Sequence, residues 1–274
     1  MKSAYEIKKE ICEIGRRIYM NGFVAANDGN VSVKVNENEF YCTPTGVSKG
    51  FMTPDMVLKV DGKGNMLEPN KTYKPSSEFK MHLQVYRERS DVHAVVHAHP
   101  PYATAHAVAG LALDSYIMPE AIISLGTVPL TKYGTPSTME IPEAISDALQ
   151  NHDAVLLQNH GALSVGPDLL HAYFKMETLE YFAKISFLAK QLGGGNELTC
   201  DQIEKLMEVR KKMGVPGRHP GCAKCEHRGT SECRCLTPEQ KAKFQQPKAQ
   251  APGGASTEEL VSEITRKVLA QINR

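Results

Sequence analysis

Residues 92–98, VHAVVHA, constrain the fold more than any other stretch of this chain. A short, continuous apolar run reads as a strand buried on both faces, and such a strand needs cover on each side. His97-Ala98-His99 closes it, and Pro100-Pro101 end it, leaving the two histidines near the sheet edge. Alternation along a strand puts residues i and i+2 on one face, so both imidazoles point the same way. That is a ready-made half of a zinc site.

The rest of the chain supplies the cover. Ile7, Ile11, Ile14 and Ile18 repeat at helical spacing and Gly22 stops the helix. VSVKV (31–35) and EFYCT (39–43) flank the turn Asn36-Glu37-Asn38, a hairpin, and VLKV (57–60) runs into Asp61-Gly62. Pro75-Ser76-Ser77-Glu78 opens a helix with Phe79, Leu83 and Tyr86 inside. Pro142, Ile145 and Leu149 mark a short helix, and AVLLQN (154–159) a second buried strand. A long helix spans 168–191, and one more spans 201–213. Strands and helices alternate without a strict βαβ rhythm, which predicts an α/β fold with a mixed sheet covered by helices.

At 274 residues the chain holds one full domain with an appendage, or two small domains. The net charge of +1 argues against a nucleic-acid binder. No apolar run reaches the roughly 18 residues of a membrane span, and the charged, periodic start is unlike a secretory signal. These features point to a soluble, cytosolic chain.

Two constellations carry chemistry. Besides His97 and His99, His160 ends an apolar strand before a glycine, and Glu78 lies at the start of the helix preceding the His97 strand. Three imidazoles and a carboxylate make a four-ligand set for a divalent transition metal, zinc first. Taken singly, a histidine at a strand end is more often a satisfied polar group, and an acid in the first turn of a helix answers the helix dipole. The second constellation is made of small polar turns: Asn27-Asp28-Gly29-Asn30, Thr43-Pro44-Thr45-Gly46 and Ser76-Ser77. Hydroxyls, amides and free backbone N–H groups bind phosphate without a fixed positive charge, although each cluster alone also reads as turn chemistry or helix capping.

GNVS (29–32), TPTG (43–46), PSSE (75–78), VVHAHP (95–100) and QNHG (158–161) occur in that order, and residues 1–213 resemble the class II aldolase/adducin family, its fuculose-type members most. The resemblance implies a three-layer α/β/α domain with a central, mixed and largely antiparallel sheet, and a homotetramer with active sites between subunits. It implies zinc on Glu78, His97, His99 and His160, with Glu78 also the acid/base. It implies substrate phosphate on Asn30, Thr45, Gly46, Ser76 and Ser77, while Asn27 stands where a hydroxyl residue is common. The reaction implied is retro-aldol cleavage of L-fuculose or L-rhamnulose 1-phosphate to dihydroxyacetone phosphate and lactaldehyde. Tyr116 lies in the region of a tyrosine that acts on a neighbouring subunit's substrate, and a second, C-terminal tyrosine of those enzymes has no match after position 181. A pentulose-phosphate 4-epimerase of the same family and a non-catalytic assembly module are the alternatives.

The character changes after Gly214. Cys222, Cys225, Cys233 and Cys235 crowd one Cys-rich extension (214–244), which suits a second zinc or an iron–sulfur cluster, a reduced flexible loop, or a labile disulfide. Residues 245–255 form a Pro/Ala/Gly linker. Ser256 and Glu259 form a capping box before an apolar stripe of Leu260, Val261, Ile264, Val268, Leu269 and Ile272. This helix (256–274) resembles the encapsulation peptides of bacterial microcompartments, which implies a shell protein as partner and the microcompartment as location; packing on the protein's own tetramer is the alternative.

Overall fold

The structure is a computed structural model, and it describes residues 2–221. The four tail cysteines, the 245–255 linker and the 256–274 helix lie outside the described residues.

Helix α1 (Ala4–Met20) starts at a capping box between Ser3 and Glu6, buries the four expected isoleucines and ends before Gly22, whose φ is +68°. Strands β1 (Asn30–Asn36) and β2 (Glu39–Cys42) form the expected hairpin, with Ser32 opposite Cys42, and β3 (Leu58–Val60) pairs antiparallel with β2. Helix α2 (Phe79–Glu88) leads to β4 (Ala94–Ala98), α3 (Pro101–Val108) and α4 (Pro119–Ser124). Then come β5 (Leu130–Thr131), α5 (Glu140–Leu149), β6 (Ala154–Leu157), β7 (Gly161–Gly166), α6 (Leu169–Gln191) and α7 (Cys200–Met213).

The seven strands form one sheet in the order β3-β2-β1-β4-β7-β6-β5. Only β5 and β6 run parallel; every other pair is antiparallel. Alternate residues of the central strands serve opposite layers. Ala94, Val96, Ala98, Leu156 and Ala162 pack against the α1 isoleucines, Ala103 and Ala107 of α3, and Met176 and Leu179 of α6. Val95, Val155, Leu157, Leu163 and Val165 pack against Phe79, Leu83 and Tyr86 of α2 and Ile141, Ile145 and Leu149 of α5. This is the three-layer α/β/α arrangement the sequence pointed to. Each large aliphatic side chain buried in it contributes about 1.5–3 kcal/mol.

Four elements go beyond the sequence reading: α3, α4, β5 and β7. Pro100-Pro101 does end β4, but Pro101 also opens α3, because proline suits the first helical position. The packed chain also continues past Gly214, the left-handed cap of α7. Arg210 donates to the carbonyls of Pro216 and Gly217 (both 3.1 Å), Arg218 to that of Gln150 (2.7 Å) and His219 to that of Ile122 (2.6 Å). A buried charge cluster braces the same end: Asp153 takes Arg89 at 2.6 Å and Lys175 at 2.6 Å, with all three side chains at most 5% exposed. No helix among the described residues is long and apolar enough to cross a membrane.

Candidate metal centre and anion cradle

The sheet order assembles the metal ligands. In register, β4 places His97 between Asn30 of β1 and Leu163 of β7. His99 follows just beyond the strand. His160 sits in the tight turn between β6 and β7, where Asn159 adopts φ +56°. That turn comes so close to β4 that a Cβ on Gly161 would stand 2.6 Å from the Ala98 carbonyl oxygen and 2.6 Å from His99 Cδ2. Only glycine lets the His160 turn approach the His97/His99 strand this closely.

The ligand atoms of His97, His99 and His160 lie within 4.8 Å of one another. His97 Nε2 and His99 Nε2 are 3.2 Å apart. Glu78 faces them with Oε2 3.5 Å from His97 Nε2 and Oε1 3.2 Å from His160 Nε2. Glu78 stands at the cap position of α2, but its side chain makes no capping bond. The carboxylate turns toward the imidazoles rather than capping the helix.

The donor chemistry fits a metal. His97 Nδ1 donates to the Ala162 carbonyl at 2.9 Å and His99 Nδ1 faces Asp28 at 3.4 Å. With the Nδ1 hydrogens committed outward, the Nε2 lone pairs converge, an unfavourable arrangement for neutral rings unless a cation lies between them. Ligands about 2.0–2.1 Å from a tetrahedral zinc stand about 3.3 Å from one another. The 3.2, 3.5 and 3.2 Å separations, the last two to different Glu78 oxygens, lie near that edge, in a histidine set whose ligand atoms stand within 4.8 Å of one another.

Electrostatics support the same protonation states. Burial pushes His97 down to about 3, against the pull of Glu78, so it stays neutral. His99 is lowered by burial and by His160. Burial alone raises the Glu78 carboxyl, but the His160 hydrogen bond, the facing His97 and His160 imidazoles and the 2.7 Å bond from Asn30 Nδ2 outweigh it and hold it below the usual carboxylate range.

The small polar turns also meet. Pro44 and Pro75 form an isolated antiparallel bridge, and Thr45 N donates to the Lys74 carbonyl at 2.9 Å. The bridge lays the Thr45-Gly46 turn beside Ser76 and Ser77, ahead of α2. Ser76 Oγ accepts from Glu78 N at 3.3 Å, and Ser137 Oγ donates to Ser77 Oγ at 2.7 Å. Asn30 is 3% exposed, and its Oδ1 has no partner among the described residues.

Tyr116 is placed elsewhere. It is 1% exposed, packs with Ile122 and Ile203, and its hydroxyl donates to the Gly221 carbonyl at 3.2 Å. Among the described residues its hydroxyl is thus engaged within its own chain.

Sequence reasoning missed Lys49, and it read Asp28 as part of an anion-binding turn where the structure sets it beside His99. Lys49 is 1% exposed, and its Nζ donates to the carbonyls of Asn27 and Val47, both at 2.7 Å. Burial lowers it to about 8, opposed by the carboxylates of Asp28 and Glu78. A lone lysine in a glycine-rich turn carries no sequence signal of such burial.

Three imidazoles and a facing carboxylate in a three-layer α/β/α sheet define a metal-dependent lyase of the aldolase type, and the chain belongs to the class II aldolase/adducin family. Residues 9–187 match the model of the Class II Aldolase and Adducin N-terminal domain. The chain is 33% identical over 183 residues to the L-fuculose phosphate aldolase of Methanococcus maripaludis, covering 67% of this chain and 97% of that one. It is 33% identical over 184 residues to the 3-oxo-tetronate 4-phosphate decarboxylase of Haemophilus influenzae, covering 66% of this chain and 86% of that one. A solved L-fuculose 1-phosphate aldolase is similar at a TM-score of 0.70 and 32% identity, over 77% of this chain and 98% of its own.

Proposed function

We propose that the chain cleaves a deoxyketose 1-phosphate, L-fuculose or L-rhamnulose 1-phosphate, to dihydroxyacetone phosphate and lactaldehyde. The observation that carries this reading is the convergence of Glu78 and three imidazoles at separations near those of a tetrahedral zinc. His97, His99, His160 and Glu78 would hold the zinc, and the chemistry a bound zinc supplies is Lewis-acid stabilisation of the negative charge that develops as the carbon–carbon bond breaks.

The chain's own residues do the rest. Glu78, ionised and aimed inward, takes and returns the proton that moves as the carbon–carbon bond breaks. Asn30 holds one Glu78 oxygen and keeps the carboxylate oriented. Asn30, Thr45, Gly46, Ser76 and Ser77 anchor the phosphate, so binding energy from a remote group orients the reacting carbons. Tyr116 is left out of this scheme because its hydroxyl is engaged inside the chain.

The test is direct. With zinc present, Glu78→Gln and His97→Ala abolish release of free aldehyde from L-fuculose 1-phosphate; near-normal turnover by either variant sinks the assignment. The same assay separates the alternatives. A 4-epimerase rejoins its fragments and releases no aldehyde. The similarity to 3-oxo-tetronate 4-phosphate decarboxylases supports a second reading in which the carbon–carbon bond broken is a carboxylate's, and carbon dioxide release would mark it.

The tail belongs to the same proposal. The 256–274 helix addresses a homotetrameric enzyme to a microcompartment shell protein, and deleting it spares activity while abolishing shell association. Cys222, Cys225, Cys233 and Cys235 hold a second metal, which elemental analysis of a four-serine variant would show lost while the first zinc stays.

A further inference from the structure

The anion cradle has one odd property. Asn30, Thr45, Gly46, Ser76 and Ser77 are all uncharged, yet the group they are proposed to bind is a phosphate. A buried ammonium holds the loops on which two of them sit or which adjoin them. Lys49 follows the Thr45-Gly46 turn by three residues, in a single 3₁₀ turn (Lys49–Phe51). Its backbone is fixed against α1: a Cβ on Gly15 would lie 2.8 Å from the Lys49 carbonyl oxygen and 2.5 Å from Met52 Cε. The side chain runs inward and donates to two carbonyls at 2.7 Å, both on loops that matter. Asn27 precedes Asp28, which faces His99. Val47 follows Gly46 of the cradle. No carboxylate contacts Nζ among the described residues.

Burying an ammonium without a contacting carboxylate is costly, and proteins generally avoid it. Two carbonyl partners offset part of the cost, while Asp28 and Glu78 act on the charge without contacting it. A charge inside low-dielectric surroundings acts further than one in water. Its natural complement is an anion arriving at the loops it holds.

We propose that Lys49 is a positioning residue for phosphate recognition. It clamps the Asn27-Asp28 loop to the Thr45–Val47 turn, and it gives the uncharged cradle its positive field. The metal side and the anion side of the site are thereby held in one arrangement by one group. This rests on the phosphorylated-substrate reading above, and the experiment separates the two.

The measurement is inorganic phosphate binding to the full-length, zinc-loaded protein by calorimetry, with KM and kcat for L-fuculose 1-phosphate beside it. Lys49→Met is expected to weaken phosphate by about tenfold, the order for a unit charge acting across roughly 10 Å at an effective dielectric of about 20. The loss should fall on KM more than on kcat, with zinc content unchanged. A folded Lys49→Met that binds phosphate as the wild type does overturns the proposal. Should Lys49→Met not fold, Lys49→Gln and Lys49→Arg decide. Loss of phosphate binding with Gln and its retention with Arg is expected; equal affinities overturn it. A wild-type protein that binds no phosphate at all removes the phosphorylated-substrate reading itself and this proposal with it. Normal wild-type binding with no effect at Lys49 removes only the latter.

Discussion

Gly161→Ala tests whether the close approach of the His160 turn to β4 builds the metal site. The added methyl would stand 2.6 Å from the Ala98 carbonyl oxygen and from His99 Cδ2. Comfortable contacts between heavy atoms lie near 3.5–4.0 Å, so the methyl is about 1 Å too close. Ala98 cannot withdraw, because it is fully buried in the middle of the sheet and paired with Ala162. The movement must therefore come from the turn that carries His160 and from the His99 ring. Functional constellations tolerate displacements of only about 0.5 Å, so the ligand set loses its geometry. Overpacking of this kind costs about 1–3 kcal/mol. For a domain of this size roughly 2–4 °C accompany each kcal/mol, so the apo protein should melt about 2–12 °C lower. Zinc affinity should fall by about 10–100-fold, as for other changes that disorient a ligand. Circular dichroism melts of the apo protein and competition for zinc with a chromophoric chelator read the two effects. An apo melting temperature and a zinc affinity both equal to wild type would show that the turn yields freely, and would refute the reasoning.

Three further outcomes are expected. His82 is buried, and burial lowers it to about 3 from an unfolded value near 6.5, so the unfolded chain holds the extra proton between those values. Stability therefore falls as pH drops below about 6.5, by up to about 1.4 kcal/mol per pH unit for this histidine, and His82→Gln flattens the pH dependence of urea unfolding; an unchanged slope would count against it. Asp153→Asn takes the carboxylate from the buried Lys175 and one of the two from Arg89, which keeps Asp91 at 2.7 Å, and should cost about 3–5 kcal/mol in urea denaturation, while a loss too small to measure would mean the cluster is not what braces this end. Asn30→Asp replaces the donor to Glu78 with a second carboxylate beside the cradle, so phosphate binding should weaken; calorimetry showing wild-type affinity would remove Asn30 from the anion site.

The parts of the fold legible in the sequence are those with strong period and punctuation. The α1 isoleucines, the Asn36–Asn38 turn and the apolar β4 run each announce themselves, because local propensity and burial agree there. Strand β7, Gly161–Gly166, did not, since glycine, alanine and serine have weak strand preference. It is a strand because β4 and β6 flank it, a tertiary fact. Helix α3 was hidden by its prolines, and β5, two residues long, has no period to read. The ligand types were legible, but their meeting was not: that depends on β7 lying between β4 and β6, which carries His160 back toward His97. Tyr116 shows the opposite limit. Its position suggested a role, while nothing in the sequence announced that its hydroxyl would meet the Gly221 carbonyl.

The strand order also governs how the chain emerges during synthesis. The first four strands to be made, β1 to β4, complete one half of the sheet by themselves, and β4 forms its temporary border. Until β7 is released, this fully buried strand, apolar but for His97, offers a row of unpaired backbone groups. An open, hydrophobic border of that kind invites pairing with another nascent chain. The strand that bears one metal ligand and leads into a second is thus the one most exposed to misassembly, and the arrival of β7 both seals the border and closes the ligand set.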